Sequence, residues 1–144
     1  MNSVSFTKPK TVYYSTIHYF HNIMSDLIND FREYREKMNE KILGSGNKVM
    51  KRIYGVDTLA YQEGALSTQT KEMLGLVSSM VLRCDDCIKY HLEKCHELGL
   101  TTDEIFEVFS IANLVGGTIV IPHTRRAVEY WEALNEKAGI NAKS

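Results

Sequence analysis

Apolar residues recur at helical spacing along most of the chain. Ile17, Phe20, Met24, Leu27, Ile28, Phe31, Met38 and Ile42 share one face of a segment from about Val12 to Leu43, with polar residues between them. Gly44-Ser45-Gly46 ends that segment. A second, shorter helix is predicted from Asn47 to about Tyr61, interrupted near Gly55-Val56-Asp57. Ser67 opens a third, whose later half, Leu74, Leu76, Val77, Met80, Val81 and Leu82, is apolar around much of its circumference, as central helices are. The fourth begins near Arg83 to Asp85 and closes at Leu98-Gly99, where the glycine suits a C-cap. Thr101 and Glu104 make a T-x-x-E capping box for a fifth helix that turns Ile105, Val108, Phe109 and Ala112 inward. Gly116-Gly117 breaks it, and the last helix carries Val128, Trp131 and Leu134 before a polar tail from Asn141. With two prolines and no alternating run, the pattern predicts an all-α, single-domain bundle of about six helices. Residues 1–46 form an N-terminal amphipathic extension, 47–136 the helical domain and 137–144 a polar tail, with both ends frayed.

At 144 residues the chain is long enough to bury a core without disulfides. A formal net charge of -1 gives no reason to expect nucleic acid or an anionic membrane as a partner. Met1 to Lys10 lack the apolar stretch of a secretory signal, and no apolar run reaches spanning length. Three cysteines in such a chain read as thiols of a cytoplasmic protein.

The chemistry concentrates in Cys84-Asp85-Asp86-Cys87, with His91 after it and Glu72 before it. On a helix, positions 84 and 87 lie about 5 Å apart, inside the Cα window of a disulfide, so the pair can cycle between dithiol and disulfide. His91 stands one turn beyond Cys87, where a ring nitrogen can exchange a proton with the sulfur. A helix start favours thiolate, and Arg83 adds positive charge beside Cys84. Asp85 and Asp86 oppose this unless they turn outward to serve the helix N-terminus, and the sequence leaves that sign open. Cys95, about 12 Å beyond Cys87 along a helix, is too far to join the pair and reads as a small buried residue.

On one straight helix Glu72 would lie about 18 Å from Cys84. A hairpin turning near Leu82-Arg83 would instead bring Glu72 level with His91, although no glycine or proline marks such a turn. Glu72 would then orient His91, His91 would deprotonate Cys87, and the thiolate would attack a hydroperoxide to leave a sulfenic acid. Cys84 would condense with it to a disulfide, and an external dithiol or protein reductant would restore the pair.

Read as E-x11-C-x-x-C-x3-H, with Ala65-Leu66-Ser67 before it and Gly116-Gly117 after it, the stretch from about Tyr61 to Leu134 resembles the carboxymuconolactone decarboxylase family, and within it the alkylhydroperoxidase D type. The resemblance implies an all-α, alkylhydroperoxidase D-like fold assembled as a homo-oligomer, a trimer or hexamer, with thiol peroxidase or disulfide reductase activity. It makes Cys87 the peroxidatic thiol, Cys84 the resolving thiol and Glu72 with His91 the proton relay; no cofactor or metal is expected for that chemistry. One position departs: alkylhydroperoxidase D carries a histidine immediately before its second cysteine, where this chain has Asp86, leaving the relay one imidazole poorer.

Two other readings stand beside the enzyme. One is a non-catalytic helical oligomer that binds a ligand or partner protein, its cysteine pair being either a redox sensor or a metal site made of Cys84, Cys87 and His91 with Glu72. The other is a decarboxylase-like enzyme without redox chemistry. Ligands as far apart as Cys84 and Cys95, about 16 Å along one helix, cannot converge on one ion. His18, His21, His96 and His123 show no partner pattern, and the charged run from Tyr34 to Lys41 reads as a solvated face.

Overall fold

The computed structural model describes the backbone of residues 10–141 and the side chains of residues 26–139. The inward positions expected at Ile17, Phe20 and Met24, the histidines at 18 and 21, and most of the ends expected to fray lie outside the described side chains. The helices are α1 (Lys10–Gly44), α2 (Lys48–Ala60), α3 (Thr68–Leu82), α4 (Asp85–Glu97), α5 (Thr102–Gly116) and α6 (Ile121–Asn141), and a 3-10 turn at Thr118–Val120 leads into α6. There is no strand among the described residues, and none of their helices is long and apolar enough to cross a membrane.

The caps explain the boundaries. Asn47 accepts from the N–H groups of Val49 and Met50 to start α2, Ser67 accepts from Thr70 to start α3, and the Thr101–Glu104 box is closed in both directions. The predicted break at Gly55 does not occur. α2 runs through it, because one interior glycine costs a helix only about 1 kcal/mol and nothing crowds that position. Sequence spacing also hides the 3-10 turn after Gly117, which is too short to show periodicity.

The core gathers Leu76 and Met80 from α3, Ile88, Leu92 and Cys95 from α4, Ile105, Val108, Phe109 and Ala112 from α5, and Tyr130, Trp131 and Leu134 from α6. Each large side chain buried in this way contributes about 1.5–3 kcal/mol. Ile28 and Phe31 of α1 join that same core, so the end of the long first helix is packed against the domain. Glu93 secures the junction: its Oε1 accepts from Arg32 Nε of α1 at 2.8 Å and from the Tyr130 hydroxyl of α6 at 2.7 Å. Burial, then the bond to Glu93, pushes the Tyr130 phenol far above its ordinary value. Gly116 lies where an added Cβ would run into Val120 and touch Val81, which makes it the close-packed helix junction that its pair with Gly117 suggests.

Candidate functional site

The fold-back between α3 and α4 builds the site. Arg83 adopts φ 61° and ψ 37°, its N–H bonds to Met80 O, and the N–H of Cys84 bonds to Ser79 O, both at 3.0 Å. This is a Schellman-type close with arginine where glycine usually stands, at a backbone cost of roughly 1–2 kcal/mol. The chain reverses there, and Cys84 becomes the N-cap of α4.

Cys84 and Cys87 are paired as a disulfide, with Cα atoms 5.3 Å apart, and Cys84 Sγ accepts from the Cys87 N–H at 3.4 Å. Cys84 is half-buried and Cys87 exposed. Both sulfurs sit at the positive end of α4, where unpaired N–H groups favour a thiolate.

Behind the pair, Glu72 Oε2 meets His91 Nδ1 at 2.7 Å, and both side chains are buried, with residue exposures of 2% and 7%. A carboxylate only accepts, so Nδ1 carries the proton and Nε2 is the nitrogen left for chemistry. Tyr61 and Tyr90 flank the imidazole, each with its ring centroid 5.3 Å away. Their phenols are raised above the ordinary value, first by burial and then by the charge of Glu72. Gly75 makes room: a Cβ there would come within 2.5 Å of His91 Cε1 and 2.7 Å of the Tyr61 hydroxyl. Tyr61, Tyr90 and Gly75 were not singled out from sequence. Only a contact between α3, α4 and the segment before α3 gives them a role, and no local spacing records that contact.

A cavity of about 430 Å³ opens over Cys87 and His91. Phe31, Tyr34, Arg35, Met38 and Asn39 of α1 and Tyr54 and Asp57 of α2 wall it, with Asp86 and Tyr90 of α4 completing the lining. Part of the run read as a solvated face, Tyr34, Arg35, Met38 and Asn39, therefore borders Cys87. The Tyr54 hydroxyl donates to Asn39 Oδ1 at 2.9 Å, tying the two walls together, and Arg35 lies over the Tyr90 ring at 4.2 Å.

The chain belongs to the carboxymuconolactone decarboxylase family. The family model matches residues 47–130, more than half of the chain and all of the site except the α1 wall. Two crystal structures of one Thermotoga maritima protein superpose with a TM-score of 0.75. One is 50% identical and covers 76% of this chain and 96% of its own. The other, 48% identical over 80% of this chain and 97% of its own, is described as a carboxymuconolactone decarboxylase family protein with a suggested part in antioxidative response. A carboxymuconolactone decarboxylase family protein from Legionella pneumophila, in its apo form, is 26% identical with a TM-score of 0.52, covering 81% of this chain and 95% of its own. An uncharacterized protein from Cupriavidus necator is 29% identical over 86 residues, 60% of this chain and 76% of that protein.

Within this carboxymuconolactone decarboxylase fold Cys95 stands apart. It is a free, fully buried thiol, pushed up to about 12 by burial, with the charge of Glu72 adding to the shift. After reduction, iodoacetamide at about pH 8 is expected to label Cys84 and Cys87 and to leave Cys95 unmodified in the folded protein. Peptide mass mapping reads this out, and labelling of Cys95 at the rate of an exposed thiol would contradict the burial argument. Among the described residues, no group of three or more His, Cys, Asp or Glu side chains is arranged to hold a metal ion.

Proposed function

We propose that this protein is a thiol-dependent peroxidase of the alkylhydroperoxidase D type, reducing organic hydroperoxides through the Cys84–Cys87 pair. One observation carries the reading: the buried Glu72–His91 contact lies beside a cysteine pair at a helix N-terminus, under a cavity that reaches both Cys87 and His91. His91 Nε2 takes the proton of the Cys87 thiol, and the thiolate attacks one peroxide oxygen. The O–O bond breaks, the proton passes to the leaving alkoxide, and Cys87 becomes a sulfenic acid. The Cys84 thiol then displaces water from that sulfur and forms the disulfide. A dithiol or protein reductant returns two electrons and two protons, as the reducing conditions of a cytoplasm allow. The cavity, at about 430 Å³ and with four aromatic side chains in its lining, suits an apolar organic peroxide far larger than hydrogen peroxide. The suggested antioxidative part of the Thermotoga maritima relative points the same way.

The test is to reduce the protein, remove the reductant, add one equivalent of cumene hydroperoxide and follow peroxide loss with peptide mapping. Rapid loss with formation of a Cys84–Cys87 disulfide is expected. Free thiols with peroxide intact would send the function elsewhere.

The reading includes a homo-oligomer, a trimer or hexamer. α2 buries no residue in the single chain and shows a helical row of exposed Val49 (64%), Ile53 (54%), Val56 (65%) and Leu59 (64%). Monomeric proteins seldom leave such a row in water. Light scattering on a sizing column is expected to give several subunits, and Ile53→Glu with Val56→Glu to give single ones. A monomeric parent protein at micromolar concentration would remove this part of the reading.

A further inference from the structure

The reactive helix is gripped from outside the relay. Asp85, the residue after Cys84, has both carboxylate oxygens taken by α6: Oδ1 meets His123 Nδ1 at 2.7 Å and Oδ2 meets Arg126 Nε at 3.0 Å. A carboxylate oxygen so close to Nδ1 requires the proton on that nitrogen, so His123 donates. His123 Nδ1 also lies 2.9 Å from Arg126 Nη2; a guanidinium only donates, so with the Nδ1 proton given to the carboxylate the Arg126–His123 approach is a close contact and not a second hydrogen bond. Burial alone would raise the Asp85 carboxyl, yet the hydrogen bonds from His123 and Arg126 outweigh it and hold the group below its ordinary value. Side-chain exposures of 40% for Asp85 and 48% for Arg126 mean that such an ion pair adds little to stability. Its effect is local: it compensates one of the two carboxylates of the first turn of α4, the turn that also carries the sulfurs.

We propose that His123 and Arg126 are positioning residues for the redox pair: through Asp85 they pin the first turn of α4 and offset its negative charge, which keeps the attacking thiol acidic. This rests on reading Cys84 and Cys87 as the reactive pair, but it does not need peroxide to be the substrate. The other charged groups around the pair are Arg83 in the turn, Asp86 on α4, the Glu72–His91 couple from α3 and α4, and Arg35 and Asp57 across the cavity. None of the others is shown bonded to Asp85, so changes on α6 act on the thiols through Asp85 and through their own charge.

The experiment titrates the reduced protein with iodoacetamide from about pH 5 to 10 and reads alkylation of Cys84 and Cys87 separately by mass. Arg126→Gln is expected to raise the midpoint of the more acidic cysteine by roughly half a unit to one unit, as loss of a nearby charge screened by partial exposure does. Asp85→Asn is expected to lower it, and Arg126→Lys, which keeps the charge, to stay near the parent value. His123→Gln keeps a donor for Asp85 and is expected to move the midpoint less than His123→Ala. Opposite shifts in Arg126→Gln and Asp85→Asn, with unchanged circular dichroism, support the proposal. An unmoved midpoint alongside a lower melting temperature would make the clamp a brace only, and equal shifts in Arg126→Lys and Arg126→Gln would overturn the charge argument. Both readouts hold even if peroxide proves not to be turned over.

Discussion

Cys87→Ser is expected to bring hydroperoxide consumption down to the protein-free rate, while Cys84→Ser still consumes one equivalent and then stops. The two cysteines differ by position. Cys87 is exposed, lines the cavity and precedes His91 by one helical turn, whereas Cys84 caps the helix and is half-buried. A serine hydroxyl at position 87 stays protonated near neutrality and offers no sulfur to oxidise, so the loss is at least about 10³-fold, or about 4 kcal/mol in the barrier. In Cys84→Ser the sulfenic acid forms on Cys87 but finds no resolving thiol, so a sulfenic-acid trap such as dimedone should add to Cys87 in high yield. The folds of both variants should match the parent, since each change trades one atom at a partly open site. If the outcomes came out exchanged, with Cys84→Ser inert and Cys87→Ser stopping after one equivalent, the attacking thiol would be the N-cap cysteine. Full turnover by Cys87→Ser would end the thiol mechanism altogether.

Much of this architecture was legible in the chain because helices announce themselves locally. The stripe Ile105, Val108, Phe109, Ala112 is buried as its spacing requires, and Thr101 with Glu104 marks the start of that helix by chemistry alone. The hairpin at Arg83 was harder. Its left-handed residue is an arginine, so the usual glycine signal is missing, and the turn could be placed only because Glu72 and Cys84 would otherwise lie far apart. Gly55 misled in the opposite direction, a helix-breaking residue inside a helix that does not break. The cavity walls were out of reach for a different reason. Periodicity says which face of α1 is apolar, but not that Tyr34, Arg35 and Asn39 beside that face look onto Cys87. His123 and Asp85, 38 positions apart, meet only because α4 and α6 pack side by side, and no repeat or motif encodes that meeting.

Glu72→Gln is expected to slow peroxide reduction by roughly 10²-fold while leaving the protein folded, because its carboxylate acts by charge on a histidine that it also holds in place. In the proposed mechanism His91 takes the thiol proton and becomes an imidazolium with its side chain largely buried, and Glu72 is the acidic group bonded to it. A neutral glutamine keeps the size of the side chain and an oxygen that can accept from Nδ1, so the ring keeps its orientation but loses most of the charge stabilisation. The melting temperature should therefore change little. Glu72→Leu separates the two contributions: it leaves a buried N–H without a partner, at about 1–3 kcal/mol, and should lower stability as well as rate. Gly75→Ala probes the same contact from the opposite side. Alanine favours the helix by about 1 kcal/mol, yet its Cβ would sit 2.5 Å from His91 Cε1, so the imidazole must move off Glu72 or Tyr61 must give way. Activity is expected to fall in Gly75→Ala even where unfolding is not advanced. Stopped-flow rates of Cys87 oxidation, measured on the reduced variants beside their thermal melts, decide the matter. A Glu72→Gln rate equal to that of the parent would show that the buried pair serves the fold and not the reaction.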